Sequence, residues 1–306
     1  MSNESNRPLK LLRPLTEDLL RILRIVDRIA AELDIPFLLA GAAARDTVLV
    51  NLWGMHVGRA TADVDFAFSV RDWTHFRQLR DALLATERFA IVTHQQQRLY
   101  YRDLEHSFSV PVDLVPFHGV ARTDQKIEWP PEGDFVMNVA GFEEALASAL
   151  SVEAESNLVV RITSIPGLLV LKLIAWLDRN AINNKDAADI FTLLNSYAFA
   201  GNEDRLYDQE HGILEAVDYD LVLAGAHLLG GDAARIVHGE TAQQVRALLN
   251  SEQEMDRLLS QIIGSATPRE DKQIVPQVDQ FRLGFLKGMD RDAVRKKLNA
   301  TRVPKS

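Results

Sequence analysis

The sequence predicts an α+β chain. Two observations carry that prediction. Between residues 37 and 163, short runs rich in β-branched and aromatic residues alternate with turns. From Pro166 onward nearly every segment has helical periodicity instead, and one helix precedes the β-rich stretch.

Residues 1–13 read as a frayed lead. Thr16, followed by Glu17 and Asp18, marks a helix start, with acids where the helix dipole favours them. Apolar residues then recur at helical spacing to about Leu33, and Asp34-Ile35-Pro36 ends the run. Residues 37–40 form a short buried strand with Gly41 directly after it, and 42–52 read as helix. The stretch 54–61 carries two glycines and reads as a loop. Residues 62–69 alternate as a strand does, and 72–86 form an amphipathic helix. Residues 89–93 and 98–102 are strands joined by a glutamine-rich turn. Pro111 puts the next strand, 109–116, at a sheet edge or makes it a strand start. Strand 158–163 leads into a helix with Pro166 in its first turn. Helices are expected over 168–179, 186–195, 214–229, 242–260 and 276–289, the last with Pro276 at its first position. These segments predict two domains, 1–163 and 164–306, with a hinge near 195–208, where Gly, Asn and Asp cluster.

Composition narrows the function. The 306 residues include no cysteine, which excludes a disulfide scaffold, a Cys-ligated metal and a thiol nucleophile. With 34 Lys+Arg against 43 Asp+Glu, the net charge of -9 argues against a chain that coats nucleic acid by bulk electrostatics, though not against a local basic groove. The N-terminus has no apolar leader, and the longest apolar run, 168–177, is interrupted by Lys172. A soluble, cytoplasmic protein with no membrane partner is expected.

The chemistry centres on Asp63-Val64-Asp65-Phe66. Residues two apart on a strand share a face, so Asp63 and Asp65 point together while Val64, Phe66 and Phe68 enter the core. Paired carboxylates repel unless a cation stands between them, and oxygen ligands suit Mg²⁺. Asp113 is a third acid, alone among Val110, Val112, Leu114 and Val115, where an uncompensated charge is costly. Three carboxylates on neighbouring strands make a candidate two-metal site that activates a hydroxyl and neutralises a leaving pyrophosphate. Acids on a solvated strand face are the plainer reading of the pair alone. Gly41, between a strand and a helix, permits close backbone approach to a phosphate.

In this order, Leu39-Ala40-Gly41-Ala42, Asp63-Val64-Asp65-Phe66 and Val112-Asp113-Leu114 resemble the nucleotidyltransferase superfamily of DNA polymerase beta type. The Lys172 helix, followed by Lys185-Asp186-Ala187-Ala188-Asp189-Ile190, is similar to the AbiEii/AbiGii toxin-like nucleotidyltransferases, which include the MenT toxins. The resemblance covers roughly residues 35–195. It implies a mixed β-sheet with flanking helices, followed by a helical C-terminal region that contributes Lys172 to the site. It implies that Gly41 and Ala42 hold a nucleoside triphosphate through backbone amides. Asp63 and Asp65 would bind Mg²⁺ (or Mn²⁺), and Asp113 would complete the metal site and act as base. Lys172 would meet the triphosphate, and Asp189 would orient a basic group, with Lys185 beside it. The reaction implied is transfer of an NMP from an NTP to an acceptor, tRNA or another RNA, by a toxin paired with an antitoxin protein.

Two features depart from the family. Ala42 stands where Ser or Gly is usual, and 51–60 lengthens the spacer to Asp63. Gly41-x-x-x-Arg45-Asp46 is similar to the Gly-Gly-x-Val-Arg-Asp stretch of tRNA CCA-adding enzymes, but no Glu-Asp-x-x-Arg motif follows, so CCA addition is not assigned. Arg45 remains either a nucleotide contact or half of a helix-surface pair. Lys172 either snorkels or meets a phosphate. Arg77, Arg80, Arg88, Arg98 and Arg102 either form a positive path for RNA phosphates or a solvated face. His94, His106 and His118 have no metal-ligand spacing and read as loop or strand-end residues. Two rival functions stay open: a catalytically degenerate nucleotide- or partner-binding protein, and a small-molecule nucleotidyltransferase of the antibiotic-modifying kind.

Overall fold

The structure is a computed structural model that describes residues 7–57, 63–93, 95–103, 109–131, 133, 135–181, 184–266 and 271–301, with side chains of the last helix described over 272–291. The chain divides into two compact units, Met1–Ser164 and Ile165–Ser306.

The first unit contains, in order, β1 (Leu9–Lys10), α1 (Glu17–Glu32), β2 (Phe37–Ala40), α2 (Gly41–Asp46), β3 (Val64–Val70), α3 (Trp73–Ala85), β4 (Phe89–Ile91), β5 (Arg98–Arg102), β6 (Ser109–His118), β7 (Lys126–Glu128), β8 (Val136–Asn138), α4 (Phe142–Ala147), β9 (Leu150–Glu155) and β10 (Leu158–Ile162). Eight strands make one sheet in the order β1-β9-β10-β2-β3-β6-β5-β4, and β7 and β8 pair separately. The large sheet is mixed: β1/β9, β10/β2 and β3/β6 are parallel, and the other neighbours are antiparallel. This is the α+β, mixed-sheet class that the sequence predicts.

Local chemistry explains the elements around the future site. The Thr16 hydroxyl accepts the Leu19 amide at 3.4 Å and caps α1. Leu20, Leu23, Val26 and Ile29 bury its apolar face. Asp72 caps α3 by accepting the His75 amide at 2.8 Å. All four residues of β2 are buried, as suits a strand covered on both faces. Along β3, Val64, Phe66, Phe68 and Val70 are buried while Asp65 is half-buried. The rings of Phe37, Phe66 and Phe68 meet at centroid separations of 5.9 to 6.1 Å, so the core holds β2 against β3.

Several boundaries differ from expectation. The helix after Gly41 widens into a π-helical turn over Thr47–Leu52, and the Thr47 hydroxyl donates back to the Ala43 carbonyl at 2.8 Å. Strand β6 lies between β3 and β5, not at an edge. Pro111 is tolerated there because, although it already pairs with Tyr100 of β5, pairing with β3 begins only at Val112, so no β3 neighbour needs its missing N–H. The spacer 51–60 and the loop 54–61 fall partly on residues 58–62, which lie outside the described residues. Strands β1, β7, β8 and β9 and helix α4 are additions to the sequence reading.

The second unit is helical: α5 (Ile165–Arg179), α6 (Lys185–Ser196), α7 (Glu203–Asp208), α8 (His211–Ala216), α9 (Leu221–Ile236), α10 (Gly239–Asn250), α11 (Glu252–Ser265) and α12 (Asp271–Thr301). The run 214–229 is broken because Asp218 and Tyr219 adopt left-handed backbone (φ 52 and 63), which ends α8 before α9 starts. The run 242–260 is split at Ser251, whose hydroxyl accepts the Glu254 amide at 3.3 Å and caps α11. Helix α12 begins before Pro276, at Asp271, so that proline lies inside the helix and not at its first position. The proposed hinge at 195–208 lies within this unit. The Asn202 side chain donates to the carbonyls of Tyr197 (2.9 Å) and Ala200 (3.3 Å), which pins the turn.

Candidate active site

Register assembles one row across four neighbouring strands. Ala40 of β2 stands opposite Asp65 of β3, Asp65 opposite Asp113 of β6, and Asp113 opposite Arg98 of β5. Directly paired residues project from the same face of a sheet, so Asp65, Asp113 and Arg98 share one face. Asp63, two residues before Asp65, shares it by the strand period. Gly41 follows Ala40 at the end of that row with φ +62. A Cβ added there would stand 1.8 Å from Asp65 Oδ2, so the backbone turns tightly against this carboxylate and only glycine fits.

Arg98 is the residue that sequence reasoning placed wrongly. It was expected in a positive path or a solvated face. Instead its Nε and Nη2 donate to the two oxygens of Asp113 at 2.6 and 2.5 Å, a forked pair. Its Nη2 is also 3.9 Å from Asp63 Oδ2. The hydrogen bond to Asp113 raises the Arg98 pKa; burial opposes this, and the charges of Asp113, Asp63 and Asp65 add to it. A strand pattern with arginine two strands from an acid-x-acid pair was the available signal, but only the register of β5 on β6 brings them together.

The donor set is chemically suited to a hard divalent cation: three carboxylates, with Arg98 supplying one positive charge against them. The trio does not close on a single point in this structure. Among the described residues no three His, Cys, Asp or Glu side chains stand in a metal-binding arrangement. Both oxygens of Asp113 instead accept from Arg98.

The remaining predicted residues fall into separate places. Ala42 is half-buried in the first turn of α2. Arg45 is 4% exposed and donates to Asp46 at 2.9 and 2.7 Å. Arg45 is therefore buried against a half-buried Asp46, and is not one half of an exposed helix-surface pair. In the helical unit, Lys172 of α5 bonds Asp186 at 3.1 Å and Asp189 at 2.5 Å, both from α6. Arg179, seven residues on and thus on the same face of α5, forks on Asp186 at 2.6 and 3.0 Å. Burial pulls the Lys172 pKa down, but the Asp189 and Asp186 carboxylates outweigh it and hold it above the ordinary lysine value. Burial likewise raises that of Asp186, and the bonds from Arg179 and Lys172 bring it below the usual carboxylate range. The ammonium does not snorkel; two carboxylates satisfy it within the unit. Asp186 lies in the first turn of α6 and is buried as the counter-ion of two cations. Lys185 is exposed at the start of α6.

Elsewhere, His118 ends β6 and faces Glu143 at 2.9 Å, while His94 and His106 lie outside the described residues. Arg77 is exposed and donates to Thr74 at 2.9 Å. No helix among the described residues is long and apolar enough to cross a membrane.

A mixed sheet with a glycine turn beside an acid-x-acid strand is the nucleotidyltransferase fold, and the chain is a nucleotidyltransferase. It belongs to the family described as nucleotidyl transferase AbiEii toxin, Type IV TA system, which it matches over residues 24–281. The family implies an NTP substrate and a divalent metal. Among solved structures, the chain is similar to an antigenic nucleotidyltransferase-like protein from Paracoccidioides brasiliensis, at 17% identity and a TM-score of 0.41, over 69% of this chain and 95% of that one. It is also similar to JHP933 from Helicobacter pylori, at 12% identity and a TM-score of 0.40, over 93% of this chain and 99% of that one. A third similarity is to the antibiotic-resistance factor ANT(2'')-Ia, at 10% identity and a TM-score of 0.37, over 67% of this chain and 99% of that one. No curated protein matches the chain.

Proposed function

We propose that the chain transfers an NMP from an NTP to an RNA acceptor, with tRNA as the first candidate, in a reaction that depends on Mg²⁺ or Mn²⁺. The observation that carries this reading is the row Gly41, Asp65, Asp113 with Asp63 beside it, because it sets three carboxylates next to a tight glycine turn at the start of α2, whose backbone amides are candidate phosphate donors. Asp63, Asp65 and Asp113 are the groups that would hold the metal, which supplies charge neutralisation for the leaving pyrophosphate and polarises the reacting phosphoryl oxygen.

The chain's own residues do the rest. The amides of Gly41 and Ala42 bind phosphate oxygens. Asp113 takes the proton of the acceptor hydroxyl through the oxygen that Arg98 releases. Lys172, expected at the nucleotide's phosphates, is held inside the helical unit by Asp186 and Asp189, and its proposed part is to support that unit. Arg45, Lys185 and the domain division 1–163 and 164–306 belong to the same proposal. The family description supports a toxin countered by an antitoxin protein.

The test mixes purified protein with Mg²⁺, each labelled NTP and total tRNA. Label on tRNA, lost in Asp65→Asn, is the expected result; no label under any metal or NTP overturns the reading. The fork of Arg98 on Asp113 favours a second reading, a chain that binds nucleotide without turning it over. Tight NTP binding with no pyrophosphate release is its signature, and measurable release excludes it.

A further inference from the structure

We propose that the helical unit carries a phosphate-binding pocket of its own, between α8, α9 and α12. The pocket encloses about 370 Å³, the lower end of the range for small-molecule sites. Its walls come from two helical stripes. On α9, His227, Gly231 and Arg235 recur every four residues. On α12, Gly284, Lys287, Gly288 and Arg291 lie at i, i+3, i+4 and i+7. Both spacings put each set on one helix face.

The glycines explain how closely the two walls meet. A Cβ on Gly284 would stand 2.0 Å from the His227 carbonyl oxygen, so the α9 and α12 backbones touch there without an intervening side chain. That contact brings Lys287 and Arg291 of α12 beside His227 and Arg235 of α9 in one lining.

The charge balance gives the pocket its sign. Arg205 forks on Asp232 at 2.6 and 2.8 Å, and Arg235 bonds the same carboxylate. Glu210 lies 3.7 Å from both arginines. Those two acids are thus matched by two cations. Lys287 and Arg291 have no carboxylate within ion-pair distance among the described residues, and they stand four apart, where like charges destabilise a helix. The His227 ring, whose Nδ1 is 2.9 Å from Gln280 Oε1, registers the same field. Burial lowers its pKa, and Lys287 and Arg291 lower it further. An arginine fork beside a lysine ammonium is the donor set that recognises phosphate oxygens. The ligand is therefore a phosphate monoester or diester, from a free nucleotide or from an RNA backbone. The inference does not rest on the carboxylate row.

The experiment follows amine acylation of Lys287 in the full chain by peptide mass spectrometry, with AMP or with a short single-stranded RNA as probe. Lys10, whose side chain is 85% exposed, is the reference. Protection of Lys287 but not Lys10 is the expected result. Protection by AMP identifies the source as a free nucleotide; protection by RNA alone identifies it as backbone phosphate, with the salt dependence that counter-ion release imposes. Arg291→Ala, at an exposed position, should raise the half-protecting concentration about tenfold, the loss of one charge-assisted contact. Asp65→Asn should protect as wild type does. The proposal is overturned if neither probe protects Lys287, if both lysines are protected equally, or if Asp65→Asn abolishes the effect.

Discussion

The molecule has two ionic centres built on opposite principles. In the sheet unit, three carboxylates face one guanidinium, and the side chains of Asp63, Asp113 and Arg98 are 45%, 16% and 29% exposed. In the helical unit, Lys172 and Arg179 face Asp186 and Asp189, two against two, with Lys172, Asp186 and Asp189 nearly sealed from solvent. Charges removed from water must be balanced locally, because desolvation of each is costly. The helical centre meets that condition by itself. The sheet centre is more open to solvent, which leaves room for an external cation. Exposed carboxylates grouped on one sheet face mark the place where chemistry is expected; a sealed, internally paired centre holds its own neighbours in place.

The largest test of that contrast is Asp65→Asn. It should lower label transfer on the order of 10²-fold or more, with a thermal unfolding midpoint close to that of wild type. Retained activity would remove the sheet centre from the reaction. Asp186→Ala should act in the opposite sense, on stability. It leaves Lys172 with Asp189 alone and removes the fork of half-exposed Arg179, and urea denaturation should show a loss of about 3 kcal/mol. A loss below about 1 kcal/mol would mean that the helical centre is not a buried, self-balanced group. Arg98→Met leaves the three carboxylates without their internal cation. Calorimetry should then find Mn²⁺ bound roughly tenfold more tightly, and unchanged affinity would separate Arg98 from the metal site.

The smallest effect is a pH dependence at His227. Its pKa in the folded chain lies below the ordinary 6.5, because of burial and then Lys287 and Arg291, against Gln280 and Glu210. As pH falls through 6.5, the unfolded chain takes up the proton first, so stability is full above that value and declines below it until the folded ring protonates. Denaturation of wild type and His227→Gln at several pH values should show the slope only in wild type.

Much of this was legible in the sequence, and the limits have physical causes. Thr16, Asp72 and the alternation of Val64, Phe66 and Phe68 act locally, so their caps and faces could be read directly. Gly41 and the Asp63-x-Asp65 pair were visible because their spacing is itself the signal. Arg98 was not, since its partner depends on how β5 registers against β6. Asp186 looked like any first-turn acid until α6 lay against α5. The break before α9 escaped because Asp218 and Tyr219, unlike glycine, do not announce left-handed backbone.

Strand β6 gives the site a sensitivity that no single side chain reveals. Asp113 meets Asp65 only in one alignment, and the side-chain period is two. Inserting a single residue within β3 or β6, ahead of either aspartate, would present Val112 or Leu114 to Asp65 and drive a carboxylate into the Phe66 core. The fidelity of the site is thus a matter of alignment between strands distant in sequence, and a change of length inside either strand is expected to abolish it.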